Sequence, residues 1–106
     1  MTNNVIEIVN FKLASGISAQ TLTEANNAFQ VFIDQQPGVL YRSFAKQANS
    51  DLYIDVVYFA SLEDAQRVEQ AFHETPVCQQ FASLIEKDSV ILERYHTLSQ
   101  TPCNAE

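Results

Sequence analysis

The sequence has little of what most cofactor-binding sites require. It contains no tryptophan, 2 glycines, 2 cysteines and 2 histidines among 106 residues. Two isolated glycines exclude the glycine-rich loops that bind phosphate groups through their backbone. Two cysteines cannot provide the disulfide framework of a small secreted domain, so a reducing cytoplasm is the expected compartment.

Positive charge is scarce as well. The chain has 6 Lys and Arg residues against 13 Asp and Glu, which gives a net charge of −7. Affinity for nucleic acid arises from clustered basic side chains, and these are dispersed, so nucleic acid is not an expected partner. No apolar run is long enough to cross a bilayer, and Glu7 interrupts the N-terminal one. Neither a membrane anchor nor a signal peptide is predicted.

The residue types that bind metals are too far apart to form a ligand set. His73 and His96 are well separated, and Cys78 and Cys103 have no metal-ligand spacing. We expect Cys78 to be a small core residue and Cys103 to lie in a polar C-terminal tail at 99–106. The preceding residues 1–98 are expected to form one domain. We therefore predict no metal site and no cofactor.

Hydrophobic periodicity predicts the element order βαββαβ. Ser18 or Thr21 is expected to cap the first helix, Ser61 the second, and Pro76 to interrupt the second. The strands are expected at 5–13, 39–46, 51–59 and 89–98. This order predicts an α+β, ferredoxin-like fold in which a four-stranded antiparallel sheet carries its helices on one face. We also expect strands 1 and 3 to be parallel neighbours at the centre of the sheet.

The hairpin of strands 2 and 3 contains two opposite charges, Arg42 and Asp55. The expected register places Arg42 directly opposite Asp55, and Phe44 directly opposite Tyr53. The alternate residues of both strands carry no charge, so we expect that second set to lie beneath the helices. Arg42 and Asp55 would then lie on the uncovered face, either as a structural ion pair or as part of a catalytic site.

That uncovered face is predicted to be too apolar to face water. Besides the ion pair it would carry Leu40, Phe44, Val57 and Phe59. The simplest cover is a second copy of the same sheet, so we expect a homodimer whose sheets enclose a cavity.

Strands 1 and 4 contribute further ionisable residues to the same predicted face. The segment EIVNF, which begins at Glu7, is similar to DVVYF, which begins at Asp55, and this similarity places the two acids side by side. On strand 4, Arg94 and His96 alternate onto one face, where Arg94 can neutralise an acid. The opposite register of strand 4 would turn Glu93 and Tyr95 inward instead.

Two segments carry a resemblance to a known family. QPGVLYR at 36–42 resembles that family's Pro-Gly turn into strand 2 with a following arginine. DVVYFASLEDA at 55–65 resembles a D-x-V-x-W-x-S-x-E-x-A pattern, with Phe59 in place of tryptophan. Over about residues 5–98 the chain resembles the antibiotic-biosynthesis-monooxygenase-like proteins of the dimeric α+β-barrel superfamily.

The resemblance implies a homodimeric α+β barrel that acts on a small aromatic or enolisable ligand. The implied activity is that of a cofactor-independent monooxygenase or a related small-molecule enzyme. The expected catalytic residues are Arg42, Asp55, Glu7 and His96, and the expected substrate-binding residues are Tyr53, Phe44, Phe59 and Arg94. The alternative is a barrel of the same fold that binds a metabolite, or serves as an interaction module, without catalysis.

Overall fold

The computed structural model describes residues 3–101 and contains four strands and three α-helices. In chain order the elements are β1 (Val5–Phe11), α1 (Ala19–Asp34), β2 (Val39–Lys46), β3 (Tyr53–Phe59), α2 (Leu62–Glu74), α3 (Pro76–Ser83) and β4 (Ile91–His96). This order confirms the predicted βαββαβ arrangement, with the second helical region divided in two. Residues 102–106, which include Cys103 and most of the predicted tail, lie outside the described part of the chain.

Three strands are shorter than predicted. β1 ends at Phe11, β3 begins at Tyr53, and a 3₁₀ turn at Lys87–Ser89 occupies the start of the predicted fourth strand. Within the described residues, none of the helices combines the length and the apolar character needed to cross a bilayer.

Local hydrogen bonds explain where the helices begin. Ser18 caps α1, because its hydroxyl accepts the backbone N–H of Thr21 at 3.1 Å, and Thr21 itself lies inside the helix. Ser61 caps α2 in the same way by accepting from the backbone N–H of Asp64 at 3.1 Å. Pro76 occupies the first turn of α3, where its missing N–H leaves no helical hydrogen bond unmade.

The sheet has the order β2-β3-β1-β4, and every neighbouring pair is antiparallel. The expectation that the first and third strands run parallel is therefore wrong. The helical crossover through α1 makes β1 and β2 parallel, and the hairpin then reverses β3 relative to both. Val5 accordingly pairs with Phe59 at one end of β1, and Phe11 with Tyr53 at the other.

The register of the hairpin also differs from the expected one. Arg42 stands opposite Val57 and Asp55 stands opposite Phe44, after an irregularity between Val39 and Tyr41. The prediction that Arg42 directly opposes Asp55 is thus wrong by two residues. Since side chains alternate with a period of two, this shift leaves every residue on the same face as its predicted partner.

The helices cover the face that was expected to be bare. Val57 and Phe59 are only 5% and 2% exposed, and the guanidinium of Arg42 lies against Phe29 of α1 and Phe81 of α3. Phe44 packs against the same core, so of the predicted interface residues only Leu40 is exposed. Alternation could not decide this point, because both faces of the hairpin are apolar.

Among the residues that the structure describes, no helix packs against the opposite face of the sheet. Its residues alternate with the buried set along each strand. They include Ile6 and Ile8 of β1, Tyr41 of β2, Ile54, Val56 and Tyr58 of β3, and Ile91 and Tyr95 of β4.

Aromatic rings fill the space between sheet and helices. The phenyl ring of Phe81 in α3 stacks on that of Phe29 in α1, with centroids 4.8 Å apart, and contacts Phe11 of β1 edge-on. Cys78 is fully buried there, as expected for a core residue, and burial raises the pKa of its thiol to about 11. The thiol therefore stays neutral and acts as a small apolar side chain.

Candidate functional site

A cavity of about 380 Å³ lies between the sheet and the helices α2 and α3. This volume falls in the range of small-molecule sites in proteins. Its walls are mainly apolar and include the rings of Phe11, Phe29, Phe59, Phe72 and Phe81. The polar residues that line it are Glu7, Asp55, Glu69, His73 and Lys87.

Asp55 and Arg42 form a closed ion pair at one wall of this cavity. Nε and Nη2 of Arg42 donate to the two carboxylate oxygens of Asp55 at 2.9 and 2.7 Å. The remaining Nη1 donates to Gln30 at 2.9 Å, and the guanidinium lies 4.7 Å from the ring centre of Phe29. The Arg42 side chain is fully buried, whereas Asp55 lines the cavity. A ligand would therefore meet the carboxylate, with the arginine behind it.

Glu7 is the second carboxylate that the sheet turns toward the cavity. It stands opposite Val57, while Asp55 stands opposite Val9, so the two acids occupy diagonal positions on neighbouring strands. Nε of Arg94 donates to Oε1 of Glu7 at 2.9 Å. Within residues 3–101, the structure shows no hydrogen bond to the other oxygen, Oε2. Glu7 therefore retains a free acceptor inside an apolar space.

The surroundings of Glu7 favour its protonated form. Burial raises the pKa of the Glu7 carboxyl, and the negative charges of Glu69 and Asp55 raise it further, against the opposing effect of Arg94. A carboxyl whose pKa lies above its ordinary value is a stronger base when it is ionised. The arrangement can thus accept and return a proton.

The structure brings most of the predicted site residues together, in two layers. Glu7, Asp55 and Phe59 line the cavity, and Arg42 and Arg94 support the two acids.

Two of the predicted substrate-binding residues lie beside this cavity. Phe44 and Tyr53 stack on each other at 5.7 Å, and each stacks on the cavity-lining Phe11 at 5.9 Å. They shape the wall indirectly.

His96 is the predicted catalytic residue that lies apart from the others. It is exposed at the end of β4 and lines a shallow surface depression with Asn4, Ser61 and Glu63. It is not among the residues that line the cavity, because it lies beside the first residues of α2, whereas the cavity is lined by α2 from Ala65 onward. Arg94 does face the helices, which confirms the expected register of β4 over the one that turns Glu93 and Tyr95 inward.

Sequence reasoning missed the helix residues at the rim. Glu69 and His73 lie one and two turns after the buried Ala65, so helical spacing places them at the border of the buried stripe of α2. Lys87 comes from the 3₁₀ turn, for which periodicity offers no signal. Within residues 3–101, no three His, Cys, Asp or Glu side chains converge as a metal-ligand set.

Comparison with known proteins finds likeness in structure only. Neither protein-family models nor curated protein sequences match this chain. SnoaB, a cofactor-independent oxygenase from Streptomyces nogalater, is similar with a TM-score of 0.78 at 12% identity, over 95% of this chain and 99% of that one. A proposed antibiotic biosynthesis monooxygenase from Nitrosomonas europaea has a TM-score of 0.78 at 14% identity, over 96% and 97%.

A third similar structure is a dimeric ferredoxin-like protein of unknown function from Thermobifida fusca. Its TM-score is 0.74 at 8% identity, over 92% of this chain and 93% of that one. At such identities the likeness shows the fold and nothing finer. The resemblance to antibiotic-biosynthesis-monooxygenase-like proteins is therefore confirmed as a shared ferredoxin-like α+β fold.

Proposed function

We propose that this protein is a cofactor-independent monooxygenase acting on a small aromatic, enolisable molecule in the cavity. The observation that carries the proposal is the carboxylate of Glu7, whose pKa is raised by burial and which has a free oxygen in an apolar space. The fold shared with a cofactor-independent oxygenase supports the same assignment. A base in a dry cavity is the group that such a reaction needs from the protein.

The polarity of the cavity defines the ligand that it favours. Its inner polar groups, Glu7 and Asp55, are hydrogen-bond acceptors, and each of the three nitrogens of Arg42 already donates to Asp55 or Gln30. Both acids have a guanidinium partner, so a ligand need not bring positive charge. A neutral aromatic molecule with an acidic O–H or C–H fits these conditions better than a carboxylate does.

Proton removal by Glu7 is the first step of the proposed reaction. Oε2 takes a proton from a ring CH₂ that is conjugated with a carbonyl through the aromatic ring, and the electron pair of that C–H bond is delocalised onto the carbonyl oxygen as an enolate. The enolate transfers one electron to O₂, and the resulting carbon radical and superoxide combine to form a C–O bond. Loss of the remaining C–H proton and cleavage of the peroxide O–O bond then give a second carbonyl, and the distal oxygen takes up the two protons that left the carbon and departs as water. The net change is CH₂ + O₂ → C=O + H₂O.

The supporting residues have separate roles in this scheme. Arg94 holds Oε1 of Glu7 and so leaves Oε2 directed at the substrate. Glu7 returns its proton to the departing oxygen, which restores the carboxylate. Asp55, fixed by Arg42, accepts a hydrogen bond from a substrate hydroxyl and orients the ring system. Phe59 and the other aromatic side chains exclude water from the enolate.

We also propose that the working unit is a homodimer that buries the uncovered face of the sheet. That face carries Ile, Val or Tyr side chains on all four strands, with Asn10, Ser43 and Glu93 among them. Tyr41 and Ile91 are 56% and 58% exposed there. Apolar faces of this kind are normally covered by another chain. The similar protein from Thermobifida fusca is described as dimeric.

Oxygen uptake with anthrone as a probe tests the proposed activity, because anthrone has a ring CH₂ opposite a carbonyl. We expect consumption of one O₂ per quinone formed, with no effect of a chelator. Glu7→Gln should lower the rate at least about 100-fold, the usual size of a general-base contribution. Glu74→Gln is the matched control, because it removes the same charge from the exposed end of α2. Equal rates in Glu7→Gln and the parent would contradict the assignment.

A second candidate is a barrel that binds a metabolite without transforming it. The observation in its favour is that Asp55 and Glu7 each have an arginine partner within the chain, as a structural ion pair would. The same experiment separates the two functions. A rise in the melting temperature with anthrone, with no oxygen uptake at any pH, would favour the binding protein.

A further inference from the structure

Arg94 is shared between a carboxylate inside the cavity and one at its rim. Its Nε donates to Glu7 at 2.9 Å, and its Nη2 donates to Glu69 at 2.6 Å. Arg42, by contrast, gives the same two nitrogens to Asp55 alone. The two acids that the sheet turns into the cavity are therefore held differently, and the difference arises from one residue of α2.

The groups around Glu7 come from four different elements. They are Asp55 of β3, Arg94 of β4, Glu69 and His73 of α2, and Lys87 of the 3₁₀ turn. Among them, Arg94 is the one cation with a hydrogen bond to Glu7 in the described structure. Of the two nitrogens with which Arg94 could bind a single carboxylate, Nε donates to Glu7 and Nη2 donates to Glu69. The side chain of His73 is 68% exposed, and its Nε2 lies 3.9 Å from Oε2 of Glu69.

We propose that Glu69 is a positioning residue that sets the basicity of Glu7 by competing with it for Arg94. This inference rests on the proposed function, since the basicity of Glu7 matters to turnover only if Glu7 takes a proton from the substrate. While Glu69 holds Nη2, Glu7 receives a single N–H and remains close to an additional negative charge. A carboxylate that receives both donors of a guanidinium is held more firmly in its ionised form and is a weaker base.

The electrostatic balance at Glu7 agrees with this geometry. Burial is the largest cause of the raised pKa of Glu7, the hydrogen bond and charge of Arg94 oppose it, and the charge of Glu69 adds to it. Removing Glu69 therefore takes away one cause that raises this pKa. It also frees Nη2 of Arg94 to donate to Glu7, and hydrogen bonding from Arg94 lowers the pKa of Glu7.

The direct test is a titration of the Glu7 carboxyl carbon by NMR, which needs no substrate. We expect the pKa of Glu7 to be lower in Glu69→Gln than in the parent, and lower again in Glu69→Ala. The control Glu74→Gln changes the same charge at the end of the same helix and should leave the pKa of Glu7 unchanged. The Glu69 side chain is 48% exposed, so both variants should fold, which circular dichroism would verify.

A pH–rate profile with anthrone provides the second readout. In Glu69→Gln the acid limb should move to lower pH, and the plateau rate should fall because a weaker base removes the substrate proton more slowly. An unchanged pKa of Glu7 in both Glu69 variants would overturn the inference even if anthrone is oxidised. A lowered pKa without any turnover would support the role of Glu69 while the proposed monooxygenase activity failed.

Discussion

Arg42 and Asp55 form a bidentate ion pair across a diagonal of the β2–β3 ladder. Arg42 is paired with Val57 and Asp55 with Phe44, yet both carboxylate oxygens accept from the guanidinium at 2.9 and 2.7 Å. Diagonal neighbours on one face of an antiparallel pair lie within reach of a long side chain. Arg42 thereby lies between β2 and the helices with its charge fully compensated.

The first prediction concerns removal of one partner of this pair. Asp55→Asn leaves a buried guanidinium whose side chain is 0% exposed, without a counter-charge. The loss should be on the order of 3–5 kcal/mol in the free energy of unfolding, measured by urea denaturation. The double variant Arg42→Met with Asp55→Val should recover much of this loss, since it leaves no buried charge.

The exposed pair of Arg67 and Asp64 provides the control. The Arg67 side chain is 49% exposed, so Arg67→Met should cost clearly less than Asp55→Asn. Equal losses for the two single variants would show that burial does not determine the strength of the pair. A double variant no more stable than Asp55→Asn would show that the pair does more than compensate its own charges.

The pairing of Arg42 with Asp55 was predictable from the sequence, although its register was not. Alternation along each strand correctly groups the two residues on one face, and a shift of two residues preserves that grouping. The shift arises at the turn, where Lys46 pairs with Tyr53 because β3 begins two residues later than expected, and the segment between the strands gives no signal for this longer loop. The element order and the helix cap at Ser61 were predictable for local reasons, since they depend on neighbouring residues alone.

The covered face of the sheet could not be predicted, because this choice depends on packing between distant elements. Both faces of the hairpin carry large apolar residues, and charge suggested that the Arg42 face would be the open one. The structure instead satisfies that charge with Gln30 and aromatic rings of the helices. For the same reason, Glu69 could not be connected with Glu7, which lies 62 positions earlier in the chain (69 − 7 = 62).

The second prediction concerns the pH dependence of stability. Because burial raises the pKa of Glu7 above its unfolded value, the folded state binds its proton more tightly. The contribution of Glu7 to stability is thus fully present below the unfolded pKa and is lost as pH rises through the folded pKa. Glu7→Gln cannot ionise, and Arg94 retains Glu69 as a partner. The variant should therefore melt at least as high as the parent at neutral pH.

Thermal melts from pH 3 to pH 8 would measure this effect. The advantage of Glu7→Gln over the parent should shrink as the pH is lowered, because protonation makes the parent carboxyl neutral too. Glu74→Gln again serves as the charge control. An advantage that grows toward acidic pH would mean that the pKa of Glu7 is lowered by folding.

The third prediction compares two glycines in the left-handed region. Gly16 and Gly38 have φ angles of 83° and 89°, so an alanine at either site should cost roughly 1–2 kcal/mol in backbone strain. An added Cβ at Gly16 meets no atom within 4 Å, whereas at Gly38 it clashes with the carboxylate of Asp64. Asp64 would have to leave its bonds to Ser61 and Arg67, at 2.8 and 2.7 Å.

Gly38→Ala should therefore lower the melting temperature more than Gly16→Ala does. Differential scanning calorimetry of the two variants under identical conditions measures the difference. When Gly38→Ala is combined with Asp64→Ala, the melting temperature lost through Gly38→Ala should become closer to that lost in Gly16→Ala. No such recovery would mean that the clash with Asp64 is relieved at no cost.

The last prediction concerns the homodimer that we propose for the uncovered face of the sheet. Val56 lies near the centre of this face, between Ser43 of β2 and Ile8 of β1. A lysine at this position would have to be buried without a partner if a second sheet packs there, which is strongly unfavourable. Val56→Lys should therefore sediment near the monomer mass of 11.9 kDa at micromolar concentration, where the parent should sediment at twice that mass.

The matched control is Val31→Lys, because Val31 is 58% exposed on the outer side of α1 and away from the sheet. It adds the same charge and should leave the parent's dimer intact. Far-UV circular dichroism should show that Val56→Lys keeps its fold, since Val56 points away from the buried core of its own chain. A parent that sediments as a monomer at micromolar concentration would rule out the dimer. Dissociation of both lysine variants would mean that added charge, and not the uncovered face, governs assembly.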